Sequence, residues 1–412
     1  MAPEAIDRVL AEWVKDARAR TLALVADLDL AQLMGPRLAI VNPLLWEIGH
    51  VGWFQDHWVF GGGRDELYDS SAIPHDVRWD LPLPERAATV RYLEDTRDRV
   101  LERLERGLSD DERYFVRLSV FHEDMHCEAF TYTRQTLGYP PPELPVSAPP
   151  SGGALAGDVE VAGGTLDLGA RPGAEPFVFD NEKWAHAVDL APFAIARAAV
   201  SEGEFARFVD DGGYRRRELW SPDGWAWRAG EAAEAPLYWR RDGGAWWRRE
   251  FDRWRPLDPD RAIVHVAWWE AEAYCAWAGR RLPTEAEWEL AAGGPEKRRF
   301  PWGEEPPEAA RANLGWRAGR PVDVGALPAG DTTSGCRQMI GNVWEWTTTT
   351  FSAYPGFVAD PYRDYSQPWF GTHKVLRGGC WATAARLLRN TWRNFYTPDR
   401  RDAWAGFRTC AR

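Results

Sequence analysis

The segment YPPPELPVSAPPSGGALAGD (139–158) constrains the fold more than any other stretch. Proline lacks the backbone donor that helices and sheets need, and glycine loses the most conformational freedom on ordering, so this mixture continues neither element. The chain therefore divides into two parts that each bury a core, which 412 residues allow. We place an N-terminal domain at 1–140, a linker at 141–157 and a C-terminal domain at 158–412.

Before this segment, apolar residues recur every three to four positions. Residues 4–30 carry Ile6, Val9, Leu10, Trp13, Val14 and Ala17 at the spacing of an amphipathic helix. The period returns at 43–60 (PLLWEIGHVGWFQDHWVF), which opens on a proline suited to a first helical turn. It returns again at 84–107, through Val90, Leu93, Val100, Leu101 and Leu104, and at 111–138. Four long helices with loops between them predict a four-helix bundle. After the segment come short β-type stretches (DVEVAGGTLDLGA, HAVDLAPFAIARAAV), Gly/Pro turns, and brief helical pieces near 201–210, 268–279 and 284–292. This texture predicts an irregular α+β domain, and without a fixed-period repeat it is neither propeller nor solenoid.

Charge and composition narrow the function. A formal net charge of −12 and no long Lys/Arg run argue against nucleic acid or an anionic membrane surface as partner. No stretch approaches the roughly 20 apolar residues of a membrane span, and the amphipathic start MAPEAIDRVLAEW lacks a signal-peptide core, so a cytoplasmic location is expected. Cys127, Cys275, Cys336, Cys380 and Cys410 are odd in number and scattered without a CxxC pair, which predicts reduced thiols. The 25 tryptophans suggest aromatic-lined cavities.

The chemistry concentrates in FHEDMHCEAF (121–130). On a helix, residues four apart differ by only roughly 40° in direction, so His122 and His126 share a face and can share one metal ion. Glu123, Asp124 and Glu128 leave that face, so a third ligand must come from another helix. Residues 43–60 offer His50 or His57, seven apart among Trp46, Trp53, Phe54 and Trp58. Three imidazoles suit zinc, copper or iron.

CAWAGRRLPTEAEWELAA (275–292), GNVWEWT (341–347), VLRGGCW (375–381) and GFR (406–408) together resemble the formylglycine-generating-enzyme (sulfatase-modifying factor) fold, a C-type-lectin-like α+β domain. These motifs recur whatever chemistry the fold hosts, so we read them as structural. Preceded by a DinB-like four-helix bundle with His50 and the HxxxHxE pattern at His122, His126 and Glu128, the architecture resembles the ergothioneine-type non-haem iron sulfoxide and selenoxide synthases over nearly the entire chain. The resemblance implies Fe(II) on His50, His122 and His126, O2 as co-substrate, and joining of a chalcogen to the imidazole C2 of hercynine, the trimethylated betaine of histidine. A quaternary ammonium donates no hydrogen bonds and is held best by aromatic faces, which the tryptophans would supply.

By the same resemblance, TWRNFYTPDRRDAWAGFR (391–408) supplies the substrate residues, with Asn394 toward the hercynine carboxylate or imidazole and Phe395 toward the trimethylammonium. Relatives that use γ-glutamylcysteine carry an Asp after the Asn-aromatic pair and an Arg four residues later. This chain has Tyr396 and then Arg400. Their HQxxHQE-like iron helix has a Gln where this chain has Met125, and their PPKWHLxHTTWF reads NPLLWEIGHVGWF (42–54). These departures resemble the selenoneine synthase branch, which couples hercynine to a selenosugar; the thiols cysteine and γ-glutamylcysteine are the alternative acceptors. A sugar needs no carboxylate to hold an α-amino group, and Tyr396 can stack on its ring. The PYRDYS loop (361–366) is similar to the one that supplies a proton-donating tyrosine in these synthases, which nominates Tyr362 first and Tyr365 second. A formylglycine-generating oxidase is the remote alternative. That chemistry uses two cysteines close together near RGG, and here Cys380 and Cys410 stand far apart.

Overall fold

The computed structural model describes residues 2–412, which divide into two compact units, the first reaching to Leu144 and the second spanning Pro145–Arg412. The first unit holds the four predicted long helices, at Pro3–Val25, Leu44–Phe60, Arg86–Glu105 and Asp110–Leu137. The first and second each pack against the third and fourth, the arrangement of a four-helix bundle. The first helix stops short of the expected residue 30. Asp29 caps a separate short helix, Leu30–Met34, by accepting from Gln32 N at 2.8 Å while Gln32 Oε1 takes the Asp29 N–H at 3.0 Å. The fourth helix opens on a second such capping box, Ser109 with Glu112, and closes on left-handed Gly138.

No helix or strand forms between Gly138 and Asp158. Near its start, the Pro140 carbonyl accepts from Arg134 of the fourth helix at 2.7 and 3.0 Å. Further on, Ser147 and Gly152 donate backbone N–H groups to Arg317 O and the Asp323 carboxylate. A Cβ at Gly152 would lie 2.3 Å from Ala326 N, so only glycine permits this approach.

The second unit is built on two four-stranded sheets, a two-stranded ribbon (Gly164–Leu168 with His186–Leu190) and a three-stranded meander over 239–256. The recurrent motifs lock together through buried charge. Arg377 of VLRGGCW pairs with Glu285 at 2.7 Å and Glu289 at 2.6 Å, both on the helix Glu285–Gly293. Arg408 of GFR pairs with Glu345 of GNVWEWT at 2.6 Å, and the Trp288 indole donates to the same carboxylate at 2.8 Å. Each charge thus has a partner inside the core, the condition under which burying it is tolerated. Much of the tryptophan surplus belongs to packing: Trp46, Trp288, Trp316, Trp344, Trp346 and Trp381 are fully buried. One cavity of about 210 Å³ is lined by Glu175, Glu289, Lys297, Arg299 and Arg389 among others, and by no tryptophan. Among the described residues no helix is long and apolar enough to cross a membrane.

His265 is buried between Tyr238 (ring centroids 4.9 Å apart) and Trp404 (4.5 Å), with a backbone φ of +63°. Burial, reinforced by Arg248, pushes its pKa down to about 3, outweighing the backbone of Arg401 and Asp402. From about pH 6.5 down to about 3 the unfolded chain binds a proton that the folded chain refuses. Stability therefore falls through that window by about 1.4 kcal/mol per unit. His265→Asn keeps a residue type that tolerates positive φ and removes the titration. Urea unfolding is expected to lose about 2 kcal/mol less between pH 7 and 5 in the variant; parallel curves would refute the assignment.

Candidate metal centre

The second helix carries His50, 2% exposed, with Trp46 and Trp53 stacked at 5.0 and 5.5 Å. Gly49 matters because a Cβ there would lie 2.3 Å from the Tyr68 ring. With Tyr68 seated so closely, His50 Nδ1 donates to the Tyr68 carbonyl at 2.8 Å. On the fourth helix His122 stacks on Phe54, ring centroids 3.5 Å apart, and His126 Nδ1 donates to Glu47 Oε1 at 2.7 Å. For His50 and His126 the Nδ1 proton is thereby placed, so each Nε2 carries the lone pair.

One ring nitrogen from each of His50, His122 and His126 lies within 4.8 Å of the others. Among the described residues this is the group of three or more metal-type side chains so arranged, and neither His57 nor a carboxylate belongs to it. Burial, with the nearby His126 charge as the next cause, holds the pKa values of His50 and His122 well below the usual 6.5. Three imidazoles converging in an aromatic pocket fit a divalent transition metal, since metal-bound imidazoles are neutral nitrogen donors and three of them leave coordination positions open. Met125, one residue before His126, is half-buried.

Sequence reasoning did not nominate Glu47 or Tyr68. For Glu47 a signal existed, since it lies three residues before His50, on the same helix face. Nothing local marks Tyr68, whose contribution is a backbone carbonyl.

In the second unit, Asn394–Tyr396 is an edge strand paired with Lys374–Arg377, which pairs in turn with Trp344–Thr350. Strand alternation puts Asn394 and Tyr396 on one face and Phe395 on the other, so the three do not form one surface. Asn394 Oδ1 accepts from Phe395 N at 2.8 Å. Phe395 stacks on Phe351 at 4.0 Å and meets Tyr365 at 5.9 Å and His373 at 5.8 Å. Tyr365 stacks on Phe179 at 4.3 Å, while Tyr362 lies one ring further out, 6.1 Å from Tyr365. Burial pushes the Tyr365 hydroxyl well above its ordinary pKa. The loop is held by Ser366, which donates to the Asp180 carboxylate and accepts from Asn181 Nδ2 at 3.0 Å. On the other face the Arg400 guanidinium lies over the Tyr396 ring, 5.2 Å from its centre, and forms a two-point ion pair with Asp402, one contact at 2.9 Å.

Comparison with known proteins agrees with both halves. Residues 14–129 match the DinB superfamily, and residues 146–412 match the sulfatase-modifying factor enzyme 1-like domain. Hercynine oxygenase of Mycolicibacterium thermoresistibile is 41% identical, over 97% of this chain and 94% of that protein. The hercynine oxygenase of Mycobacterium tuberculosis is 40% identical, over 95% and 96%. A formylglycine-generating enzyme of Thermomonospora curvata is 36% identical but covers only 62% of this chain. Likeness that runs through bundle and sheet domain alike makes this chain an oxidoreductase of the hercynine oxygenase family, the O2-dependent enzymes of the ergothioneine type.

Proposed function

We propose that the chain uses Fe(II) on His50, His122 and His126, with O2, to join selenium of a selenosugar to the imidazole C2 of hercynine. When bound, the iron supplies redox chemistry toward O2. The reaction balances without an external reductant: the C2–H and Se–H bonds break, a C–Se bond forms, one oxygen atom ends on selenium and the other leaves as water with both hydrogens. The Phe395–Phe351 stack suits a trimethylammonium, whose charge is attracted to aromatic faces. Tyr365 becomes the better proton donor of the two tyrosines. It sits beside Phe395, with ring centroids 5.9 Å apart, whereas Tyr362 lies one ring further out.

The observation that carries the choice of acceptor is the state of Arg400. A zwitterionic amino acid needs a guanidinium for its carboxylate and an acid for its ammonium. Here Asp402 already neutralises Arg400, and an aromatic ring stands at the position after Phe395. A neutral, ring-shaped acceptor suits this surface better than γ-glutamylcysteine. Retention of Arg400 and the identity to hercynine oxygenases favour the second reading, C–S bond formation with cysteine or γ-glutamylcysteine.

The test offers anaerobically loaded Fe(II) protein hercynine and O2 with a 1-seleno sugar, cysteine or γ-glutamylcysteine, and measures product masses. The selenosugar adduct is expected to dominate; coupling of the thiols alone refutes the selenium assignment. Tyr396→Asp is expected to raise γ-glutamylcysteine coupling by about 10-fold or more, the worth of one charge-assisted hydrogen bond.

A further inference from the structure

We infer that Glu47 is a positioning residue of the histidine cluster, fixing the tautomer of His126 and placing a negative charge behind it that favours the more highly charged state of a bound metal. The inference rests on the metal reading above and extends it to a residue outside the ligand set.

Glu47 is 2% exposed and its Oε1 lies 2.7 Å from His126 Nδ1. A neutral imidazole has one N–H, and donating it from Nδ1 leaves Nε2 as the lone pair. His50 meets the same requirement with an uncharged acceptor, the Tyr68 carbonyl at 2.8 Å. The two histidines thus share an orientation device and differ in charge. A carboxylate polarises the Nδ1–H bond and lends the ring imidazolate character, which strengthens Nε2 as a ligand. Nearby Arg78 stacks on Trp46, 4.0 Å from the ring centre, and directs N–H groups to Asn42 Oδ1 (2.7 Å) and the Ile73 carbonyl (3.2 Å). Its hydrogen bonds thus go elsewhere than Glu47, while its charge still acts on the Glu47 carboxylate from a distance. A purely structural role would need the hydrogen bond alone; the inference also needs the charge.

The two are separable in the full-length protein. Glu47→Gln keeps shape and a carbonyl acceptor and removes the charge, whereas Glu47→Leu removes both. Metal-free protein is titrated with Co(II) by visible absorption, and the Fe(III)/Fe(II) midpoint potential of the iron-loaded protein is measured. The expected result is a Co(II) Kd weakened roughly 10-fold by Gln and up to about 100-fold by Leu. Shifted Co(II) bands and a higher potential in Glu47→Gln are expected too, with the helical circular dichroism of its metal-free form unchanged. If Glu47→Gln binds Co(II) with superimposable bands, a Kd within about two-fold and the wild-type potential, the inference is overturned while the metal reading stands. Wild-type protein that takes up no Co(II), or takes it up equally after His122→Ala, overturns both.

Discussion

Replacing His122 with alanine is expected to remove Fe(II) binding and O2-dependent coupling together, whereas replacing His57, which lies near His50 on the second helix, leaves both in place. The contrast follows from geometry. His122 contributes one of three nitrogens that lie within 4.8 Å of one another, and His57 does not belong to that group. With His122 gone, two imidazoles remain from two different helices. The loss of affinity should exceed the roughly 10–100-fold that follows from losing only the partner of a metal-bound imidazole. His122 is also stacked on Phe54 at 3.5 Å and buried, so the alanine leaves a cavity and costs on the order of 2–4 kcal/mol of stability in the metal-free protein. Circular dichroism of the metal-free variant therefore accompanies the measurement of iron per chain. Full iron content and activity after His122→Ala would refute the assignment, as would loss of iron on His57→Ala.

How much of this was legible in the sequence depends on whether the information was local. The His122/His126 pair was, because spacing of four fixes a common face whatever surrounds the helix. The third member was not: His50 and His57 lie seven apart, nearly on one face, and how far along the second helix the fourth helix crosses decides between them. The bundle and the sheet domain followed from periodicity and from motifs that prove to be joined by buried ion pairs, Arg377 with Glu285 and Glu289, and Arg408 with Glu345. The strip 394–400 was legible as a motif but not as a surface. Only strand register shows that Phe395 faces away from Tyr396, and only the fold shows Arg400 paired with Asp402. That Tyr365 meets Phe395 was not legible for the same reason, since the contact joins residues thirty apart.

The acidic residue next to His122 is expected to matter for a different reason than its position suggests. Glu123 points away from the cluster into the bundle core, where its carboxylate meets Arg18 at two points, 2.8 and 3.2 Å, both side chains about 1% exposed. Thr21 Oγ1 donates to the same carboxylate at 2.8 Å, while Arg18 also reaches the Leu93 carbonyl and Gln55 Oε1 at 3.1 Å. One ion pair therefore ties together all four long helices. Glu123→Leu leaves a guanidinium buried without its anion, and the expected loss is about 3–5 kcal/mol in urea unfolding followed by the helical signal. That is a large part of the roughly 5–15 kcal/mol that holds a typical domain folded. Changing Arg18 to Met in the same chain removes the stranded charge, so the double variant should recover most of the loss even though it has lost the whole ion pair. A single variant that costs less than about 1 kcal/mol, or a double variant no more stable than Glu123→Leu, would show that the pair is not what holds the helix bearing His122 and His126 in place.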